Sequence, residues 1–261
     1  MIRAATTALA LVLAAMPAAA QTIWIAGDST AATYRGAAYP QTGWGMMLPC
    51  ALADGVRVEN RAMGGRSTRT FVSEGRWAAI LKEMRPGDTV LIQFGHNDAS
   101  RNRPARYAPA ATDYRMYLTR FVTDVRARGG TPVILTPVAR RSFDGGKARA
   151  DFADYSSVAR VTARETGAAL IDLEALSLDL LTRTGPEAAK ALYLHYTPAD
   201  QKAAFPGGIA DDTHSSEMGA RRIADLVAGE LQRLGLPVSA SVRSDRPELQ
   251  RETPLGKWEC R

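Results

Sequence analysis

The chain is 261 residues long, with 33 Lys and Arg against 27 Asp and Glu and a formal net charge of +6. Its basic residues form no stripe interleaved with aromatics, which argues against nucleic acid as a partner. Its Cys and His residues lack ligand spacing, so no metal is expected.

The first twenty residues stand apart. Arg3 supplies a positive start, Leu9 to Ala15 an apolar run, and Met16-Pro17-Ala18-Ala19-Ala20 a small-residue stop. This pattern is that of a secretory signal peptide cleaved near Ala20, which predicts a soluble protein in the periplasm or the medium. The apolar run falls short of the ~20 residues that a membrane anchor needs. Loss of Arg3 leaves a net charge of +5 (6 − 1). About 240 residues remain, enough for one domain with a sizeable core.

Five short apolar runs follow in chain order: 22–26, 56–59, 89–94, 132–136 and 168–172. Runs of this kind suit parallel strands buried on both faces. Helical periodicity appears over 113–128, with Met116, Tyr117, Phe121 and Val125. It appears again over 152–166, before a capping Gly167, and over 216–234, with Ile223, Leu226, Val227 and Leu231. Strands alternating with helices predict a three-layer α/β/α sandwich around a doubly wound, mainly parallel five-stranded sheet. Residues 137–146 and 185–209 read as rim loops, and 238–261 as a loosely packed tail. Cys50 and Cys260 are a candidate disulfide in an oxidising compartment, with two free thiols as the alternative.

Four motifs carry chemistry: Gly27-Asp28-Ser29-Thr30, Asn60 to Gly65, Gly95-His96-Asn97-Asp98 and Asp211-Asp212-Thr213-His214. A serine becomes a nucleophile when a base takes its proton, and histidine is the usual base. Of the three histidines, His96, His195 and His214, only His214 has a carboxylate, Asp211, three residues upstream. On one turn, that spacing aims the carboxylate at Nδ1 and leaves Nε2 for the serine. Ser215 or Ser216 then caps the last helix. The developing oxyanion needs donors, for which the N–H groups of Ser29 and Gly65 and the amide of Asn97 are candidates, with Gly64 as fallback for Gly65. Taken singly, each has a structural reading: Ser29 as a helix cap, Gly64-Gly65 as a plain turn, Asn97 as a turn cap, and the aspartates as loop solubilisers. In this order, at strand ends, they make one site.

The four motifs resemble those of the SGNH (GDSL-type) hydrolase superfamily, with its flavodoxin-like sheet. The resemblance assigns Ser29 as nucleophile, Gly65 and Asn97 as the second and third block residues, and Asp211 and His214 as the closing pair. GDSTAATY (27–34), QTGWGMML (41–48), NRAMGGRSTRTFVSEGRW (60–77), LIQFGHND (91–98) and DDTHSSEMGARRIADLV (211–227) are similar to stretches of rhamnogalacturonan acetylesterases. Ser215 departs from an aromatic common in those relatives.

The resemblance implies a hydrolase domain over 21–237 that removes acetyl groups from an acidic pectic polysaccharide or oligosaccharide, with no cofactor. Arg66 and Arg69 are candidate uronate contacts, or else partners of Glu59 or Glu74. Tyr34 and Trp44 are candidate sugar platforms, Trp44 being better suited to the core. His96 and His195 are candidate substrate contacts, although His96 also suits a packed position. An esterase acting on xylan acetate or small acetylated sugars, a long-chain lipase or thioesterase, and a noncatalytic sugar-binding module are the competing readings.

Overall fold

The computed structural model describes residues 21–261, so the expected leader lies outside the described residues. Along the chain come β1 (Thr22–Gly27), α1 (Trp44–Met47), β2 (Arg57–Asn60), α2 (Thr68–Ser73), α3 (Arg76–Glu83) and β3 (Thr89–Gln93). The middle holds α4 (Arg115–Ala127), β4 (Thr131–Leu135), the short strands β5 (Phe143–Asp144) and β6 (Lys147–Ala148), α5 (Ala153–Thr166) and β7 (Ala169–Ile171). The last third holds α6 (Leu173–Thr184), β8 (Tyr193–Tyr196), β9 (Ile209–Ser215) and α7 (Glu217–Arg233). No helix among the described residues is long and apolar enough to cross a membrane.

The five expected runs form one sheet in the order β2-β1-β3-β4-β7, with every pair parallel. Successive side chains point to opposite faces of a strand. Ile23, Ile25, Leu91, Val133 and Leu135 therefore share one face with Trp44, Met47, Ala224, Val227 and Leu231 of α1 and α7. Trp24, Ala26, Val90, Ile92 and Ile134 share the other with Phe71, Trp77, Ile80, Phe121 and Ala159 of α2 to α5. Apolar helices on both sides explain why the strands read as continuous runs. After β1 the chain steps to β2 on one side and returns to β3 on the other. The carboxyl ends of β1 and β3 thus border a topological switch point, where such sheets build their sites.

Four helices carry no clear signal in the sequence, the shortest being α1 at four residues. The weak helix formers Thr and Val fill α2, which depends on Ser67 as its cap. The leucines of α6 (Leu173, Leu176, Leu178, Leu180, Leu181) spread around the helix instead of forming a stripe, and α3 is only eight residues long. The expected rim loops also carry strands, since β5 pairs with β6 and β8 with β9.

The tail over 238–261 is not loosely packed. Val238, Val242 and Leu249 are buried, and Arg243 N–H donates to the Ala51 carbonyl at 2.8 Å. Cys50 and Cys260 are joined, with Cα atoms 5.2 Å apart. Glu217 and Arg221 on α7 form an ion pair at 2.7 Å, with each side chain 1% exposed. Two buried charges need every remaining valence filled, and the tail's backbone fills them. Arg221 donates to the carbonyls of Glu248 and Glu259, at 3.1 and 2.8 Å. Glu217 accepts from the N–H groups of Leu255 and Gly256, at 3.0 and 3.1 Å. The sequence signal missed was an i, i+4 Glu–Arg pair on the inner face of an amphipathic helix. Arg221→Met strands the Glu217 carboxylate, and a loss of about 3–5 kcal/mol of stability is expected, read as a lower urea midpoint.

Candidate active site

Ser29 leaves the end of β1 on a tight turn, closed by Ala31 N–H to the Asp28 carbonyl at 3.2 Å. Gly27 makes this exit possible, because a Cβ there would lie 2.9 Å from the Gln93 carbonyl oxygen of β3. Asp28 is fully buried and braces the turn. Its Oδ1 accepts from Thr30 N–H at 2.9 Å and from Thr30 Oγ1–H at 2.7 Å. Tyr34 O–H donates to the Ser29 carbonyl at 2.8 Å.

The turn expected for the closing pair is a β-bulge in the β8–β9 hairpin. Tyr193 pairs with Ser215 and Leu194 with Asp211, so Asp212, Thr213 and His214 bulge out between consecutive partners. Bulges re-aim side chains. Asp211 Oδ1 holds this one, accepting from the N–H groups of Thr213 and His214 at 2.7 and 3.0 Å. Its Oδ2 meets His214 Nδ1 at 2.7 Å, and His214 Nε2 meets Ser29 Oγ at 3.0 Å. Burial pushes the Asp211 carboxyl up, but the hydrogen bonds from His214 and Thr213 outweigh it and hold its pKa down at about 2. An ionised carboxylate fixes the Nδ1–H tautomer and leaves Nε2 to accept from the serine. Behind the bulge, Ser216 caps α7 by accepting from Gly219 N–H at 3.2 Å. Thr42 N–H donates to the Ser215 carbonyl at 3.0 Å.

The second and third motifs converge on the serine. Gly64 and Gly65 form the middle of a turn closed by Arg66 N–H to the Met63 carbonyl at 3.3 Å. Gly65 sits at φ +79°, a conformation natural to glycine. A Cβ on Gly64 would lie 3.7 Å from Ser29 Cβ, so the turn sits directly against the nucleophile. The N–H groups of Ser29 and Gly65 donate to no protein atom among the described residues, as suits donors kept for a ligand. Asn97 Nδ2 donates one hydrogen to the Arg66 carbonyl at 2.9 Å; its amide has a second. Asp98 locks the two loops together, its Oδ1 accepting from Thr68 N–H at 3.0 Å and Thr68 Oγ1–H at 2.5 Å. Burial raises the Asp98 pKa to about 7. Asp98, Ser67 and Thr68 carried no separable sequence signal, because their roles depend on loops that are distant in the chain.

The four candidate substrate contacts are placed differently from one another. Arg66 pairs with Glu74 at 3.0 Å, and Arg69 pairs with Asp113, while Glu59 pairs with Arg57 and Arg61. Both candidate uronate contacts are therefore already engaged by carboxylates. His195 lies on β8 and meets Asp212 Oδ1 at 2.7 Å, and Arg141 meets the same oxygen at 2.8 Å. His96 is buried under the site and packs on Phe152, with centroids 4.3 Å apart. This packed position is the other one its sequence allows, in the floor of the site. Burial, then the charges of Arg140 and His214, lower its pKa to about 3. It is neutral, and the 3.6 Å approach of its Nδ1 to Asp28 Oδ2 is no ion pair. Trp44 is buried in the core.

Serine, imidazole and carboxylate in one relay, beside unpaired N–H donors at the carboxyl edge of a parallel sheet, are the parts of a serine ester hydrolase. Residues 25–222 match the model of the GDSL-like lipase/acylhydrolase family. The chain belongs to that family, and is a carboxylic ester hydrolase of SGNH type. It is 41% identical over 224 residues, 86% of this chain and 98% of the relative, to a Bacillus subtilis protein named "Probable rhamnogalacturonan acetylesterase YesY". It is 39% identical over 217 residues, 83% of this chain and 91% of the relative, to the B. subtilis rhamnogalacturonan acetylesterase RhgT. Among solved structures, B. subtilis YxiM superposes with a TM-score of 0.72 at 30% identity over 87% of this chain, which spans 60% of that one.

Two expectations follow. Asn97→Ala removes a candidate oxyanion donor, so kcat falls by about 10²–10³-fold with little change in KM, in steady-state ester hydrolysis. His96 has a folded pKa of about 3 against an ordinary 6.5. The unfolded chain therefore binds the extra proton first, and stability drains away as pH falls from 6.5 towards 3. Asp28 and Asp98, raised by burial, act in the opposite sense. They are common to wild type and His96→Gln, so the stability difference between the two, measured by urea unfolding, should shift against wild type across that window.

Proposed function

We propose that the protein is an exported carbohydrate O-acetylesterase that deacetylates an acidic pectic polysaccharide of the rhamnogalacturonan type. The observation that carries the reaction is the Asp211–His214–Ser29 relay, with 2.7 and 3.0 Å links, beside the unpaired N–H groups of Ser29 and Gly65. The substrate class is supported by the names of the two relatives near 40% identity. Export is supported by the leader pattern over 1–20.

In this reading Ser29 Oγ attacks the acetyl carbonyl carbon as His214 Nε2 takes the hydroxyl proton. Asp211 stabilises the imidazolium through Nδ1–H. The N–H groups of Ser29 and Gly65 and the free Asn97 amide hydrogen donate to the oxyanion. Collapse breaks the ester C–O bond, and the imidazolium returns its proton to the departing sugar hydroxyl. Water then attacks the acetyl-enzyme with His214 again as base. Acetate leaves and Ser29 regains its proton. The residues supply every proton movement, and no cofactor enters the cycle.

Acetate release from acetylated rhamnogalacturonan, by the protein and by Ser29→Ala, tests the proposal. Loss of kcat by roughly 10⁴-fold or more in the variant is expected. Activity that survives Ser29→Ala would remove the nucleophile. A preference for C8 over C2 nitrophenyl esters would replace the acetylesterase with a long-chain lipase.

A further inference from the structure

The arginines nearest the reaction centre divide into two kinds. Arg66, Arg69 and Arg141 each hold a carboxylate, on Glu74, Asp113 and Asp212 respectively. Arg106 and Arg140 have no carboxylate within 4.0 Å among the described residues. Both are partly buried, and the Nε of each is buried with no hydrogen-bond partner, as is that of Arg69, whose charge Asp113 balances. A guanidinium left in that state pays a desolvation cost that a planar anion would relieve.

Arg106 lies beside the second motif, and Arg140 lies on a ring that touches the third. Arg106 reaches in from the loop after β3. Its Nη1 lies 3.8 Å from where a Cβ on Gly65 would stand, and its one side-chain bond is from Nη2 to Ser100 Oγ at 3.2 Å. It thus sits beside the Gly64-Gly65 turn that faces Ser29. Arg140 comes from the loop after β4 and stacks over the Phe152 ring at 5.0 Å. His96, next in sequence to Asn97, also packs on that ring. Stacking fixes the guanidinium plane and leaves its edge hydrogens for a ligand. Burial, then the charge of Arg103, lower the pKa of Arg106, and the charge of Asp28 offsets this only in part.

We propose that Arg106 and Arg140 are the specificity-determining residues that bind uronate carboxylates of the polymer as its acetyl group reaches Ser29. The proposal rests on the acidic-substrate reading above and goes further by assigning the side chains that read the acid. A carboxylate offers two oxygens in the plane of the guanidinium fork, and a neutral sugar offers no such match. Arg66 and Arg69 already have part of their charge balanced by Glu74 and Asp113.

The test uses acetylated rhamnogalacturonan and the same polymer after reduction of its carboxylates to primary alcohols. The readout is the ratio of kcat/KM on the acidic form to that on the reduced form. Wild type should prefer the acidic form, and Arg106→Gln and Arg140→Gln should each lower the ratio by about tenfold, chiefly through KM on the acidic polymer. Arg183→Gln, which removes a remote exposed charge paired with Asp179, should keep the wild-type ratio. A wild-type preference that persists in both variants would overturn the assignment of the two arginines while leaving the substrate reading intact. An equal fall on both polymers would also overturn it, by showing a structural role. A wild type indifferent to reduction would overturn the acidic-substrate reading and this proposal with it.

Discussion

A single hydrogen bond joins the two ends of the reaction centre: His214 Nε2 to Ser29 Oγ, across 185 residues of chain. Such a contact is set by two independent frames. Ser29 is fixed by the central sheet, where β1 lies between β2 and β3 and Gly27 lets the backbone press on Gln93. His214 is fixed by a hairpin outside that sheet, by a bulge folded onto Asp211, and by the capped start of α7. The frames meet through Thr42, whose N–H holds the Ser215 carbonyl and whose hydroxyl accepts from Trp258 Nε1 at 2.9 Å. Tail packing far from the chemistry therefore bears on the position of the base.

Carboxylates around the site are sorted by environment. Asp211 receives three hydrogen bonds from the bulge and remains ionised to about pH 2. Asp28 and Asp98 lie in the dry floor, where burial pushes both upward. Each has one oxygen bound to a threonine turn or helix start and the other unpartnered. One aspartate thus polarises the base while two others act as rigid braces, although all three sit in acidic motifs that look alike on paper. The difference is depth of burial, together with the number of N–H donors within reach, and both are properties of the fold.

Legibility followed the range of the interactions. The five strands were readable because burial on both faces leaves continuous apolar runs, and α4, α5 and α7 because one buried stripe repeats along each. The residues of the relay were readable because a serine, a histidine and a neighbouring aspartate are rare together in a chain with three histidines. The spacing of Asp211 and His214 was legible, but its geometry was not: three residues fit a helical turn and a β-bulge equally well. Glu74, the partner of Arg66, is only eight residues on, whereas the pairing of Arg69 with Asp113, the burial of His96 against Phe152 and the docking of the tail all depend on neighbours more than about 20 residues away. Local pattern does not encode such partners.

The bond between Cys50 and Cys260 spans 210 residues, which makes a covalent ring of most of the domain. Gly65, Asn97, Asp211 and His214 lie inside that ring, and Ser29 lies outside it. A single backbone cut in any loop of the ring leaves one connected molecule, with base, carboxylate and two of the oxyanion donors still tethered. A cut between Ser29 and Cys50 severs the nucleophile's strand, which is then held only noncovalently, by its ladders to β2 and β3, by side-chain hydrogen bonds such as Trp24 to Asp88 and Thr30 to Gln93, and by apolar packing. Proteolytic damage is thus unequal across the site: the acid–base half has a second covalent path, and the nucleophilic half has one.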